Sequence, residues 1–311
     1  MTESSPSLQS LPDISRNQAA RPPRRRLVPK RTLQTLAGTL YKGFLYALLT
    51  ILAFLFMVPL IWVLSSSLKY PAQVFSIPIR WIPDPVQWSN YIDVFDLVPF
   101  ALYARNSLIV AGSATLGAVL SSSVVAFSLS RLRWPGRNLV FMMVLGTMML
   151  PSVVTLVPTF IIMKNLGWLN TFLPLIVPSW FGANAFYIFL MRQFMLGVPL
   201  ALDEAARIDG ASSLRIYTQI IMPLSKSVIA AVVIFAFLER YNDVLGPAMY
   251  LTTERQYTLS IGLHALSGTY GNYWPYVMAA STLMTLPIVI IFIIFQRQFI
   301  QGIQMTGMTG R

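Results

Sequence analysis

Runs of apolar residues long enough to cross a membrane recur along this chain, separated by short polar segments. Residues 43–68, 106–130, 138–163 and 165–191 each lack Asp, Glu, Lys and Arg. A fifth run starts after Lys226 and stays apolar to Leu238, where Glu239 and Arg240 interrupt it. A sixth lies in the uncharged stretch 256–296, with its apolar core from Tyr273 to Phe295. A helix needs about 20 apolar residues to span the hydrocarbon core. The pattern therefore predicts six transmembrane helices. Closed β-barrels are the other way to satisfy backbone groups in lipid, and unbroken apolar runs without period-two alternation exclude one here. The predicted fold class is all-α, a polytopic membrane protein.

Composition points the same way. The 311 residues are 55% hydrophobic and only 11% charged, whereas soluble domains carry about a quarter of their residues as charges. The absence of cysteine excludes disulfides, iron–sulfur clusters and a thiolate nucleophile. A single histidine, His264, argues against a His-built metal site. The net charge of +12 raises nucleic acid as a partner, but the placement of the charges removes that reading. Lys and Arg favour cytoplasmic segments. With the N-terminus inside, 17 of the 23 fall on inside segments, from Arg16 through Arg131, Arg192 and Arg207 to Arg311. Lys69, Arg80, Arg105, Lys164 and Arg255 fall outside, and Arg240 lies in the fifth span. An even number of spans puts both termini in the cytoplasm. The basic excess is topology in a multi-pass plasma-membrane protein, and no nucleic-acid partner is expected.

Residues 1–40 read as a disordered basic cytoplasmic tail, rich in Ser, Pro and Arg. Its segment Arg21 to Arg31 either touches anionic lipid headgroups or simply anchors the orientation. The longest outer connection runs from Lys69 to Arg105, with four prolines between Pro71 and Pro85. Trp81, Trp88 and Tyr91 suit the headgroup belt, so the loop is either an ordered cap or an interfacial anchor.

A polar stretch, Asp203 to Pro223, separates the fourth and fifth runs. Pro199 precedes it, and Asp203 and Glu204 fall in a first helical turn, where carboxylates complement the dipole. Asp203 and Arg207 have ion-pair spacing. Asp209-Gly210 breaks the helix, with Gly suited to the left-handed position beyond a helix end. A second short helix begins near Ala211 or Ser212. Its Leu214, Tyr217 and Ile221 form one apolar face, and Pro223 ends it. The residues alone leave two readings: a hairpin lying on the lipid surface, or an element to which another protein backbone comes close at Ala205 and Ala206.

Glu204-Ala205-Ala206, three residues, Gly210, nine residues and Ile220-Ile221-Met222-Pro223 together resemble the EAA loop of ABC-importer permeases, with Met222 where the family commonly has Leu. Other segments resemble the carbohydrate-type branch. They are Pro59 to Lys69, Trp81 to Tyr91, Arg105 to Arg137, Glu239 to Leu251 (with Tyr241 in place of Trp) and the C-terminal Gln296 to Arg311. The resemblance implies a type I ABC importer permease fold with a cytoplasmic EAA coupling helix. It implies a division into 41–104, the first transmembrane helix and outer loop; 105–297, the core transmembrane domain; and 298–311, a cytoplasmic tail. It implies three partners: a cytoplasmic ABC ATPase dimer, a second related permease subunit and an external solute-binding protein. The solute would be a sugar, oligosaccharide or polyol derivative. The residues it assigns to ATPase coupling are Glu204, Ala205, Ala206, Asp209, Gly210, Leu214 and Pro223. The chain has no G-x-x-x-x-G-K-[ST] motif, so it is expected to be no enzyme and to hold no cofactor or metal, with ATP and Mg bound by the partner ATPase.

Two further sets of residues are candidates for a pathway or gate. In the fourth run Trp180 and Tyr187 are able to stack on a sugar and Asn184 to bond a hydroxyl, or all three simply pack helices. At the end of the fifth run Glu239, Arg240, Asn242 and Asp243 are either structural and gating residues or the ionic site of a self-contained secondary transporter or channel.

Overall fold

The computed structural model describes residues 30–182, 184–269 and 273–308. Residues 1–29, most of the expected basic tail, lie outside the described residues. The chain divides into two compact units, Met1–Val58 and Pro59–Arg311. Regular structure among the described residues is helical.

Helix α1 (Lys30–Ser67) begins inside the stretch expected as tail, so residues 30–40 are helical. The most apolar 18-residue window of its segment Thr39–Ser67 has a mean hydropathy of 2.7. The described part of the first unit consists of this helix up to Val58.

In the second unit, the end of α1 is stitched to the outer loop. Asn90, in α2 (Ser89–Leu97), donates through Nδ2 to the carbonyls of Ser67 (2.9 Å) and Lys69 (3.0 Å). The hydroxyls of Ser67 and Tyr91 share a 2.7 Å hydrogen bond, and Ser65 donates to the carbonyl of Trp81. Trp81 packs edge-on against Trp62. The loop is thus ordered by bonds to the end of α1 and the residues just after it, among them the Ser67 carbonyl at the helix end. Its tip, Ile77, is almost fully exposed. Lys69 is buried beneath this cap with its Nζ 4.6 Å from the Trp62 ring centre. Burial pushes its ammonium below the usual lysine range.

Helix α3 (Phe100–Arg131) is the central element of the unit. Small residues line it: Ala111, Ala114, Ala118, Ser122, Ser123 and Ala126 are all buried. Small side chains let helices approach closely where lipid removes any hydrophobic drive to associate. Gly117 goes further, because a Cβ there would stand 2.4 Å from the indole of Trp180.

The uncharged stretch 138–163 does not form one helix. It becomes α4 (Arg137–Thr147) and α5 (Ser152–Asn165). Pro151 holds an extended backbone between them (φ −59°, ψ 131°), and a proline disfavours helix in the residue before it. The next span also starts later than residue 165. Helical structure resumes at Leu173 and runs to Gly197, interrupted at Gly182. Its second part is α6 (Ala185–Gly197). The polar hairpin follows as α7 (Ala201–Ile208) and α8 (Ser213–Leu224). Then come α9 (Lys226–Tyr241), α10 (Leu245–Tyr250), α11 (Leu259–Thr269) and α12 (Trp274–Met308). The C-terminal residues expected as a tail from 298 therefore continue α12 to Met308.

Four helical segments are long and apolar enough to cross a membrane: Thr39–Ser67, Phe100–Arg131, Leu173–Gly197 and Trp274–Gln298. A fifth is added if α8 and α9, bent by 78°, count as one span. Pro223 stands one residue before the end of α8, close to where its position suggests the helix stops. A widened π-type turn, Tyr217–Ile221, precedes it. That turn relieves the clash its ring would make with the carbonyl of Gln219, and the bend comes at Ser225. Two large apolar cores and two smaller ones hold the unit among the described residues. One large core joins α3, α6, α9 and the hairpin through Phe127, Tyr187, Met191, Met195, Ile216 and Val232. The other large core joins α2, α3, α9, α11 and α12 through Val94, Tyr103, Tyr241, Leu266 and Ala280.

Candidate functional site

Chemistry-bearing residues gather at the two ends of α6. At its start the chain passes through Gly182 in the left-handed region (φ 71°), which frees the next helix to begin afresh inside the span. Asn184 caps that helix: its side-chain oxygen accepts from the Phe186 amide at 3.0 Å. This fixes the other end of the amide as a donor, and Nδ2 donates to Glu239 Oε2 at 3.2 Å. The Tyr187 hydroxyl donates to the same oxygen at 2.5 Å. A carboxylate from α9 is therefore seated beside the positive end of a helix dipole and held by two neutral donors. Glu239 remains 47% exposed. Discontinuous helices whose N-termini face polar groups inside the membrane are the usual architecture of transporter binding sites.

The other expected pathway residues keep local partners. Trp180 lies against Gly117. Asn242 Nδ2 donates to the Leu238 carbonyl at 3.0 Å. Asp243 Oδ1 accepts from the Gly246 amide, in the first turn of α10, at 3.0 Å. Arg240 stands 3.9 Å from Glu239. Glu239 and Arg240 thus pair with each other, and Asp243 bonds within its own turn.

At the far end of α6 lies the hairpin. Glu204 and Ala205 are exposed on α7, whereas Ala206 is buried against the core. Asp209 ends α7, and Gly210 turns the chain with φ 79°. Ser212 caps α8 by accepting from the Arg215 amide. The buried face of α8 is Ile216, Tyr217 and Ile221 rather than one including Leu214. The Tyr217 hydroxyl bonds that of Ser123 at 2.7 Å, and its ring packs on Phe127. Leu214 is 70% exposed and Ile208 86%. Two large apolar side chains therefore flank Gly210 in a polar segment beyond the span.

Asp203 does not pair with Arg207. It is buried and faces Arg131, the last residue of α3, with Nη1 3.5 Å from Oδ2 and side-chain exposures of 1% and 6%. Arg131 Nη2 donates to the carbonyls of Met195 and Val198, the second at 2.7 Å. The sequence reading missed Arg131 as a functional candidate. Its signal was faint: a lone charge closing a long uncharged run, read as a topology marker, with its partner 72 positions away.

Residues 117–305 match the family described as the binding-protein-dependent transport system inner membrane component. The sn-glycerol-3-phosphate transport system permease protein UgpE of Yersinia pestis bv. Antiqua (strain Antiqua) is 33% identical over 84% of this chain and 95% of its own length. The arabinooligosaccharides transport system permease protein AraQ of Bacillus subtilis (strain 168) is 30% identical over 88% of this chain and 97% of its own. Among solved structures, a bacterial ABC transporter involved in the import of the acidic polysaccharide alginate shares the fold, with a TM-score of 0.71 at 23% identity over 85% of this chain and 98% of that one. A second alginate transporter structure, in complex with an alginate pentasaccharide-bound periplasmic protein, aligns with a TM-score of 0.60 at 17% identity over 84% of this chain and 93% of that one. The chain belongs to the inner-membrane components of binding-protein-dependent transport systems and is a permease subunit of an ABC importer.

Proposed function

We propose that this permease forms half of a translocation pathway for a polyhydroxylated solute: a sugar, oligosaccharide or polyol derivative. A second, related permease subunit supplies the other half, and an external solute-binding protein delivers the solute. A cytoplasmic ATPase dimer binds ATP and Mg and drives the cycle. Both termini are cytoplasmic, in a bacterial or archaeal plasma membrane. The chain crosses six times, with α4 and α5 together making one broken crossing, and residues 105–297 form the core transport domain. The solute class draws on relatives that carry glycerol phosphate and arabino-oligosaccharides. Asn184, Tyr187 and Glu239 supply donors and an acceptor suited to hydroxyl groups. Trp180, Asn242 and Asp243 are assigned to shaping the pathway and its gate.

The hairpin is the ATPase-docking element. The observation that carries this is the exposure of Ile208 and Leu214 on either side of Gly210, beyond the apolar spans. Exposed large apolar side chains rimmed by charge mark protein contact sites. Glu204 offers a charge to a basic group of the ATPase, Ala205 admits close backbone approach, and Ala206 seats α7 on the core. Asp209 and Gly210 make the bend, and Pro223 sets the exit of α8.

The test is copurification of the ATPase with tagged permease from its native membrane, comparing wild type with Leu214→Asp and Glu204→Lys. An ATPase that accompanies wild type and is lost or weakened in both variants, with unchanged permease yield, supports docking through the hairpin. Undiminished copurification in both variants overturns it.

A further inference from the structure

Arg131 joins three elements through one guanidinium. It ends α3, bonds two carbonyls at the end of α6 and faces Asp203 in the first turn of α7. A pair serving stability alone would be forked, with two parallel bonds. Here Arg131 Nε and Asp203 Oδ1 are both buried without a hydrogen-bond partner, while the donors of Nη2 are spent on α6. The arrangement sacrifices pair strength for connectivity. Two further contacts reinforce the same junction: Arg192 Nε donates to the Leu129 carbonyl at 3.3 Å, and Ser130 Oγ points at the Met195 sulfur at 3.7 Å. Beside it lies a cleft of about 490 Å³, lined by Arg131, Trp134, Asp203, Glu204 and Arg207 among others. Packing alone therefore does not fasten the start of α7 to the end of α3.

The opposite end of α6 carries Asn184 and Tyr187, the donors to Glu239. A 13-residue helix with no proline is a stiff rod about 20 Å long. We propose that Arg131 is the positioning residue that makes α7, the end of α3 and the α6 rod one rigid body, so that displacement of the hairpin moves the polar site as well. This inference rests on the reading of the hairpin as the ATPase-docking element. Coupling between distant sites requires such an element, which both sites bias together.

The experiment uses the full permease complex with its copurified ATPase. The chain has no cysteine, so Arg207→Cys on α7 and Phe186→Cys at the start of α6 accept a spin-label pair. Their distance distribution is recorded with and without Mg-ATP. In the otherwise wild-type chain the distribution is expected to stay the same in both states. In Arg131→Met combined with Asp203→Leu, which removes both buried charges and so avoids leaving one unpaired, it is expected to shift or broaden with Mg-ATP while the ATPase still copurifies. Arg131→Lys keeps the charge but loses the fan of donors and is expected to behave like the double variant. A distribution that stays fixed in both variants with the ATPase bound overturns the proposal. So does one that changes as much in the wild-type background as in the variants. Absence of the ATPase from the labelled wild type instead defeats the docking reading, and this inference falls with it.

Discussion

Two carboxylates, Asp203 and Glu239, flank the two ends of α6 and are treated in opposite ways. Asp203 is 6% exposed, its nearest charged partner is a guanidinium, and one of its oxygens has no partner. Glu239 is 47% exposed and takes two neutral donors on a single oxygen. A buried charge is held for architecture, because removing its partner leaves an uncompensated ion. An exposed carboxylate oriented by neutral groups, with Arg240 3.9 Å from its second oxygen, keeps its charge within reach of water. On the proposed function, the difference separates a carboxylate that only links helices from one that is also placed to meet a solute.

Mutations sharpen this contrast in order of expected size. Arg131→Met alone strands Asp203 and is expected to destabilise the permease by about 3–5 kcal/mol, seen as a lower unfolding temperature in detergent. Adding Asp203→Leu should recover most of that loss, since a packed apolar pair often replaces a buried ion pair without penalty. An unaltered unfolding temperature in the single variant would mean that Asp203 is hydrated. Glu239→Gln should leave stability within about 0.5 kcal/mol. Solute uptake in that variant should fall roughly tenfold, the scale of one hydrogen bond to a charged group. Equal losses of stability and uptake would put Glu239 in the same class as Asp203. Tyr187→Phe is expected to have the smallest effect, about 0.6 kcal/mol of stability, the average for hydrogen bonds between membrane helices and below the tenfold uptake loss of Glu239→Gln. A larger loss would identify Tyr187 as a main support of the α6–α9 contact.

Much of this was legible along the chain. Uncharged runs located α1, α3 and α12, because exclusion of charge from lipid acts residue by residue. The hairpin was legible from Asp209-Gly210, whose left-handed turn only a few residue types adopt without strain. The meeting of Asn184 and Tyr187 with Glu239 was open only as separate candidates on two runs, since their contact depends on how α6 and α9 pack. Pro151 misled, because it splits an apolar run that hydropathy alone reads as continuous, whereas Pro223 marked the end of α8 to within one residue. Of the apolar face assigned as Leu214, Tyr217 and Ile221, the last two pack inward together with Ile216, while Leu214 is exposed. The Arg131–Asp203 pair was not legible at all. Local spacing offered Arg207 as a partner, and only the approach of α3 to α7 makes the other choice.

The stitched outer loop has a practical consequence. Its flanks are pinned through Asn90, Tyr91 and Trp81 to the end of α1, while Ile77 stands clear at the tip. In a chain without cysteine, Ile77→Cys carries the only thiol. Its reaction with a membrane-impermeant maleimide in intact cells therefore gives a clean vectorial signal for the side of the bilayer this loop faces.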